Sequence, residues 1–198
     1  MNSIFEGLAD LQSPEAARTL SRELGTDEAA TQNALAAALP ALLGALSRSG
    51  SSADGAQSLL AALDRDHDGS ILDDLLGALG GEQLGSAEGI LGHLLGARRG
   101  AVESQIGRQS GLDADSVGKI LAAVAPLVMG ALGRARRQGN WDADGLVREL
   151  GAERSRAEEA VPGSFGIFEK LLDADGDGEI GDDVTRVGTR LIESLFRR

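Results

Sequence analysis

Two stretches of the sequence hold acidic side chains at a spacing suited to a cation, DRDHDGSILDD at residues 64–74 and DADGDGEIGDD at residues 173–183. Each follows D-x-D-x-D-G, the front half of a calcium loop of EF-hand type. Calcium is a hard ion that takes six to eight oxygens. Carboxylates at loop positions 1, 3 and 5 can converge on it, a glycine at position 6 permits the sharp turn, and position 7 offers its carbonyl. The first loop places Asp64, Asp66, Asp68, Gly69 and Ser70 at those positions, and the second places Asp173, Asp175, Asp177, Gly178 and Glu179. Position 8 is Ile71 or Ile180, the apolar slot that links paired loops. Calcium is therefore the expected ligand.

The back of each loop departs from the EF-hand pattern. A bidentate Glu is required at position 12, where this chain has Leu75 and Val184; positions 10 and 11 are Asp73 and Asp74, then Asp182 and Asp183. Either Asp74 and Asp183 close a loop one residue shorter, or the ion keeps more water. Those four carboxylates could equally cap the helix that follows, because a helix N-terminus favours negative charge. Three carboxylates within five residues repel one another, and a cap does not require that spacing.

Charge supports the assignment. The chain carries a formal −12 over 198 residues. In the first loop five aspartates stand against Arg65, and in the second six acids stand alone, so the loops supply −4 and −6 of that total. The acidity belongs to the loops, and it disfavours a nucleic-acid partner.

The elements that must hold these loops are helices. Hydrophobic residues make up 42% of the chain but aromatics only 3%, the apolar mass being Ala and Leu, which favours closely packed helices over a sandwich of strands. The sequence is also written twice. RELGTDEAATQNALAAALPALLGALSR (22–48) lies without a gap over RQSGLDADSVGKILAAVAPLVMGALGR (108–134), offset by 86 positions, pairing Gly25 with Gly111, Asp27 with Asp113, Pro40 with Pro126 and Gly44 with Gly130. Each copy runs on through Asp54-Gly55 or Asp144-Gly145 to its acidic loop, the second with an insertion before it. The expected architecture is one all-α domain over 1–198, an internally duplicated multi-helix bundle of two repeats, roughly 1–99 and 100–198, with two EF-hand-like loops.

Caps and breakers place the helices. Ser13-Pro14 starts one that Gly25 ends. Thr26 or Asp27 starts a long apolar helix to about 48, kinked near Pro40. Further helices are predicted at 53–63, 71–79, 86–97, 100–110, 113–138, 143–151, 164–172 and 181–196. Gly77, Gly80, Gly81 and Gly85 read as a linker. The most apolar stretch, 117–133, contains Lys119 and Pro126 and falls short of the roughly 20 residues a membrane span needs, so it reads as a buried core helix.

With no Cys and only His67 and His93, neither a thiolate site nor a His-rich zinc site can form. No nucleophile and base are spaced for catalysis, and no enzyme is expected. His93 reads as a core or inter-helix histidine and His67 as a solvated one. Trp141 reads as the anchor of a helix start. The arginines at 98 and 99 and at 134, 136 and 137 read as partners of helix C-terminal dipoles. The N-terminus lacks a basic region and an unbroken apolar run, so it is not a signal peptide of the usual kind; a cytoplasmic location is expected.

With these features in view, the chain resembles the YidB-like family of bacterial domains of unknown function. The likeness is carried by LGTDEAATQNALAAALPALLGAL, LDRDHDGSILDDLLGALGG, the run from GILGHLLG to VMGALG, and LLDADGDGEIGDDV. It implies an all-helical duplicated fold and no established activity. The function expected from the residues is non-enzymatic calcium binding through the two loops, with an unknown protein partner; a helical scaffold without functional metal, open to self-association, is the alternative.

Overall fold

A computed structural model of the chain describes residues 8–66, 69–74, 78–79 and 84–160. Among these residues every regular element is helical and there is no strand. The α-helices are α1 (Pro14–Leu24), α2 (Glu28–Ser49), α3 (Ala53–Asp66), α4 (Leu84–Leu95), α5 (Arg99–Ser110), α6 (Ala114–Gly139) and α7 (Ala143–Ala160), with 3-10 turns at Ala9–Gln12, Ser70–Asp74 and Gly96–Arg98. The helices expected at 164–172 and 181–196 lie outside the described residues.

Local chemistry sets the boundaries. The Ser13 hydroxyl accepts the Ala16 N–H at 3.2 Å with Pro14 in the first turn, and Gly25 closes α1 in the left-handed region at φ +68°. Asp27, rather than Thr26, caps α2 by accepting the Ala30 N–H at 2.9 Å. The same devices stand 86 positions on. Gly111 closes α5 at φ +83°, and Asp113 caps α6 by accepting the Ser116 N–H at 2.9 Å. Where α3 and α7 begin, Ser52 accepts the Gly55 N–H and Asp142 accepts the Gly145 N–H.

Helices α2 and α6 pack against each other at the centre, and every other described α-helix touches at least one of them. Their sequences explain this position, since Ala34 to Leu46 and Ile120 to Leu132 contain no polar side chain, and a helical run apolar on nearly all sides must be covered on nearly all sides. Leu35, Leu39, Leu42 and Leu46 of α2 and Ile120, Leu121, Val124, Leu127 and Leu132 of α6 are buried. Both helices run unbroken through their prolines, Pro40 and Pro126. The apolar stretch at 117–133 thus belongs to a longer 26-residue helix. By length and composition α2 and α6 could each cross a membrane; 61% and 83% of their most apolar windows are buried inside the protein, the pattern of core helices.

Helix α7 reaches Ala160, well beyond the expected 151, so part of the stretch read as an insertion extends that helix. Trp141 lies half-buried just before α7, packed over Gly139, where a Cβ would strike its ring, and beside Gly145, where a Cβ would stand 3.0 Å from Trp141 Cβ.

The Asp113 cap gives a pH prediction. The Ser116 backbone N–H, and then its hydroxyl, hold the Asp113 carboxyl below the usual carboxylate range. A carboxyl depressed in the folded state contributes stability that is complete above its unfolded pKa, about 3.9, and is lost as pH falls through the lower folded value. Asp113→Asn should therefore flatten the acid limb of the stability profile, read as urea midpoints between pH 6 and pH 2.5. Asp27→Ala should cost about 1 kcal/mol at neutral pH by removing the α2 cap, measured by urea unfolding.

Candidate metal loop

The first acidic loop lies on the C-terminal half of α6. Helix α3 keeps helical backbone through Asp66, so loop positions 1 and 3 belong to its last turn. The chain reappears at Gly69, buried and in the left-handed region at φ +79°, then forms the 3-10 turn Ser70–Asp74. Only glycine is comfortable there, for two reasons. An L side chain is strained at that φ, and a Cβ on Gly69 would stand 2.8 Å from Arg134 Cβ and 3.0 Å from the Gly130 carbonyl oxygen. The helix answers with a glycine of its own, since a Cβ on Gly130 would stand 2.5 Å from Ile71 Cγ2. Two glycines bring loop and helix backbones together, and Ile71 packs on α6.

Two arginines of α6 complete the seat. Arg134 donates from one Nη2 to the Gly69 carbonyl oxygen at 2.6 Å and to Asp73 Oδ1 at 2.5 Å. Arg136 donates to Asp64 Oδ2 at 3.1 Å. The carboxylates are the more exposed partners, with Asp73 at 73% and Asp64 at 52% side-chain exposure, so these pairs are screened and each is weak by itself. The bond to the Gly69 carbonyl is the part that fixes the loop.

The residues expected to hold calcium are thus placed unevenly. Asp64 and Asp73 each face an arginine of α6, and Ser70 opens the 3-10 turn with its side chain exposed. The backbones of Asp66 and Asp74 are described and their side chains are not; Asp68, His67 and the second loop, with Asp173, Asp175, Asp177, Glu179, Asp182 and Asp183, lie outside the described residues. Among the described residues no three carboxylate or imidazole groups converge. The glycine turn at position 6 fits a calcium loop. The arginines are an addition to it, already balancing Asp64 at position 1 and Asp73 at position 10.

Sequence reasoning missed this clamp. Arg134 and Arg136 were expected to serve the helix dipole, but their guanidinium groups reach another element 61 to 72 residues away. Gly130 was singled out only as the repeat partner of Gly44, and it seats Ile71. Arg99 departs in the same way, donating to Glu88 of α4 and to Glu103 Oε1 at 2.6 Å; this pairing holds Glu88 below the usual carboxylate range. His93 is exposed rather than in the core. It lines a cleft of about 810 Å³ between α3 and α4, floored by Leu59, Ile90 and Met129.

Arg134→Ala should lower stability by about 2 kcal/mol in chelator, the net value of one charge-assisted bond plus an exposed ion pair. Asp73→Asn should cost less, because the bond to the Gly69 carbonyl survives. Urea unfolding of the two variants checks the order.

The fold and site define an all-helical protein built around two buried helices, with an acidic loop clamped to one of them. Residues 6–135 match the family described as bacterial protein of unknown function, DUF937, and the chain belongs to that family. Neither the curated proteins nor the solved structures contain a match to it.

Proposed function

We propose that the protein is a non-enzymatic calcium-binding helical module, internally duplicated, whose ions neutralise two acidic loops and fix them to the central helices. The observation that carries this is the D-x-D-x-D-G spacing, present twice, joined to the left-handed Gly69 at the position where a calcium loop turns. The recurrence of the Gly25 and Asp27 cap geometry at Gly111 and Asp113 supports the duplication. Asp64, Asp66, Asp68 and the Ser70 carbonyl would hold the ion in the first loop, with Asp74 or water closing it, and Asp173, Asp175, Asp177, the Glu179 carbonyl and Asp183 would do so in the second. The chemistry is electrostatic. Closely spaced carboxylates repel at neutral pH, and a divalent ion turns that repulsion into a cross-link between the end of α3 and the 3-10 turn.

The arginine clamp favours a second role, a scaffold in which Arg134 and Arg136 do the neutralising and no metal is used. One variant separates the two. In a calcium module the positive charge of Arg134, held against the loop by the Gly69 carbonyl and Asp73, opposes the ion, so Arg134→Ala should tighten calcium binding several-fold while lowering stability in chelator. A scaffold would lose the same stability and show no calcium heat with or without Arg134, by titration calorimetry.

A further inference from the structure

The seat under the first loop consists of Gly130 and Arg134, one helical turn apart on α6, which receive Ile71 and the Gly69 carbonyl. The repeat carries this seat back by 86 positions to Gly44 and Arg48 on α2, and carries the loop forward by 109 positions, so that Gly178, Ile180 and Asp182 stand for Gly69, Ile71 and Asp73. We infer that the face of α2 bearing Gly44 and Arg48 is the docking surface for the second acidic loop of the same chain, with Ile180 over Gly44 and Arg48 toward Gly178 and Asp182.

Three observations support this occupant. The helix that precedes each loop packs on the helix that bears its seat, α3 on α6 and α7 on α2. Helix α7 lies beside the seat in question: the Ser47 hydroxyl, one residue from Arg48, donates to the Leu150 carbonyl at 3.4 Å, and Leu150 Cδ1 lies 3.3 Å from a Cβ built on Gly50. Third, a glycine inside a helix is unfavourable against alanine, a cost that Gly130 recovers by letting Ile71 approach. Gly44 and Arg48 are partly exposed, as a seat at the edge of the core would be. The 13 residues from Ala160 to Asp173 can span about 40 Å, so reach is no constraint. The match is incomplete at one place. Arg136 corresponds to Gly50, so Asp173 has no arginine at that register.

The inference rests on the duplicated reading of the chain and not on calcium, and its test is made in chelator so that the two fail separately. The chain has no cysteine, which allows introduced pairs to be read cleanly. Ile71→Cys with Gly130→Cys is the reference pair, Ile180→Cys with Gly44→Cys the test pair, and Ile71→Cys with Gly44→Cys the mismatched pair. A disulfide needs Cβ atoms about 3.5–4.5 Å apart. Under mild oxidation the reference and test pairs should close within one chain to similar extents, and the mismatched pair at least tenfold less, by non-reducing electrophoresis and peptide mapping. A reference pair that closes while the test pair stays reduced, or a test pair that closes only between two chains, overturns the proposal. Hydrogen exchange decides the matter if cysteines in the seats disturb folding. Arg48→Ala should lose protection at residues 177–183 and keep it at 69–74, with Arg134→Ala doing the reverse; unchanged protection at 177–183 in Arg48→Ala overturns the proposal.

Discussion

Gly130→Val is expected to destabilise the protein by about 3 kcal/mol, the upper end of what overpacking costs in a filled site. The new Cβ would stand 2.5 Å from Ile71 Cγ2 and 3.6 Å from Gly69 Cα. Ile71 cannot swing clear, because its branch at Cβ leaves few rotamers, and behind it lies the backbone of the loop. The loop must lift from α6, which would break the Arg134 bond to the Gly69 carbonyl as well. Gly130→Ala should cost less and should be largely rescued by Ile71→Ala, which removes the opposing methyl. Urea unfolding of the two single variants and the double variant gives the coupling directly. Additive losses would show that Ile71 does not rest on Gly130.

Calcium should raise the melting temperature, and Asp64→Ala combined with Asp173→Ala should abolish the rise. At free calcium one hundred times the dissociation constant, a site that binds only the folded chain adds about 2.7 kcal/mol, roughly 5–10 °C for a protein of this size. Asp64 opens the first loop and its ion pair with Arg136 is half-exposed, so its loss should cost little in chelator. Each single variant should keep the contribution of the other loop. The second loop should fill first: six acids stand there without a basic residue among them and with Arg48 alone inferred against them, whereas Arg65, Arg134 and Arg136 stand within or against the first. A double variant that still gained full stability from calcium would remove both loops from consideration.

Much of the architecture is legible in the sequence because it is written in local chemistry. Ser13-Pro14, Gly25, Asp27, Gly111 and Asp113 announce helix ends through groups only a few residues apart, and the structure places each at a cap. The burial of α2 and α6 follows from the unbroken apolar character of Leu35 to Leu46 and Ile120 to Leu132. The clamp beneath the loop is of another kind. Arg134 meets Gly69 and Asp73 across more than sixty residues, and nothing in its neighbours separates a dipole partner from a loop anchor. The close approach at Gly69 and Gly130 was legible only in half. Glycine at loop position 6 is expected from the turn, whereas nothing in the sequence around Gly130 marks it as the glycine opposite. His93 shows the same limit, since an apolar helix flanked by glycines reads as core until the cleft beside it is seen.

Titration calorimetry of chelator-stripped protein with calcium, with magnesium as the control ion, tests the central claim most directly. Saturable heat at two sites is expected with calcium clearly preferred, the tighter site surviving Asp64→Ala and vanishing with Asp173→Ala. No heat with either ion, together with an unchanged melting temperature, would contradict it and leave the arginine-clamped loops as fixtures of a helical scaffold.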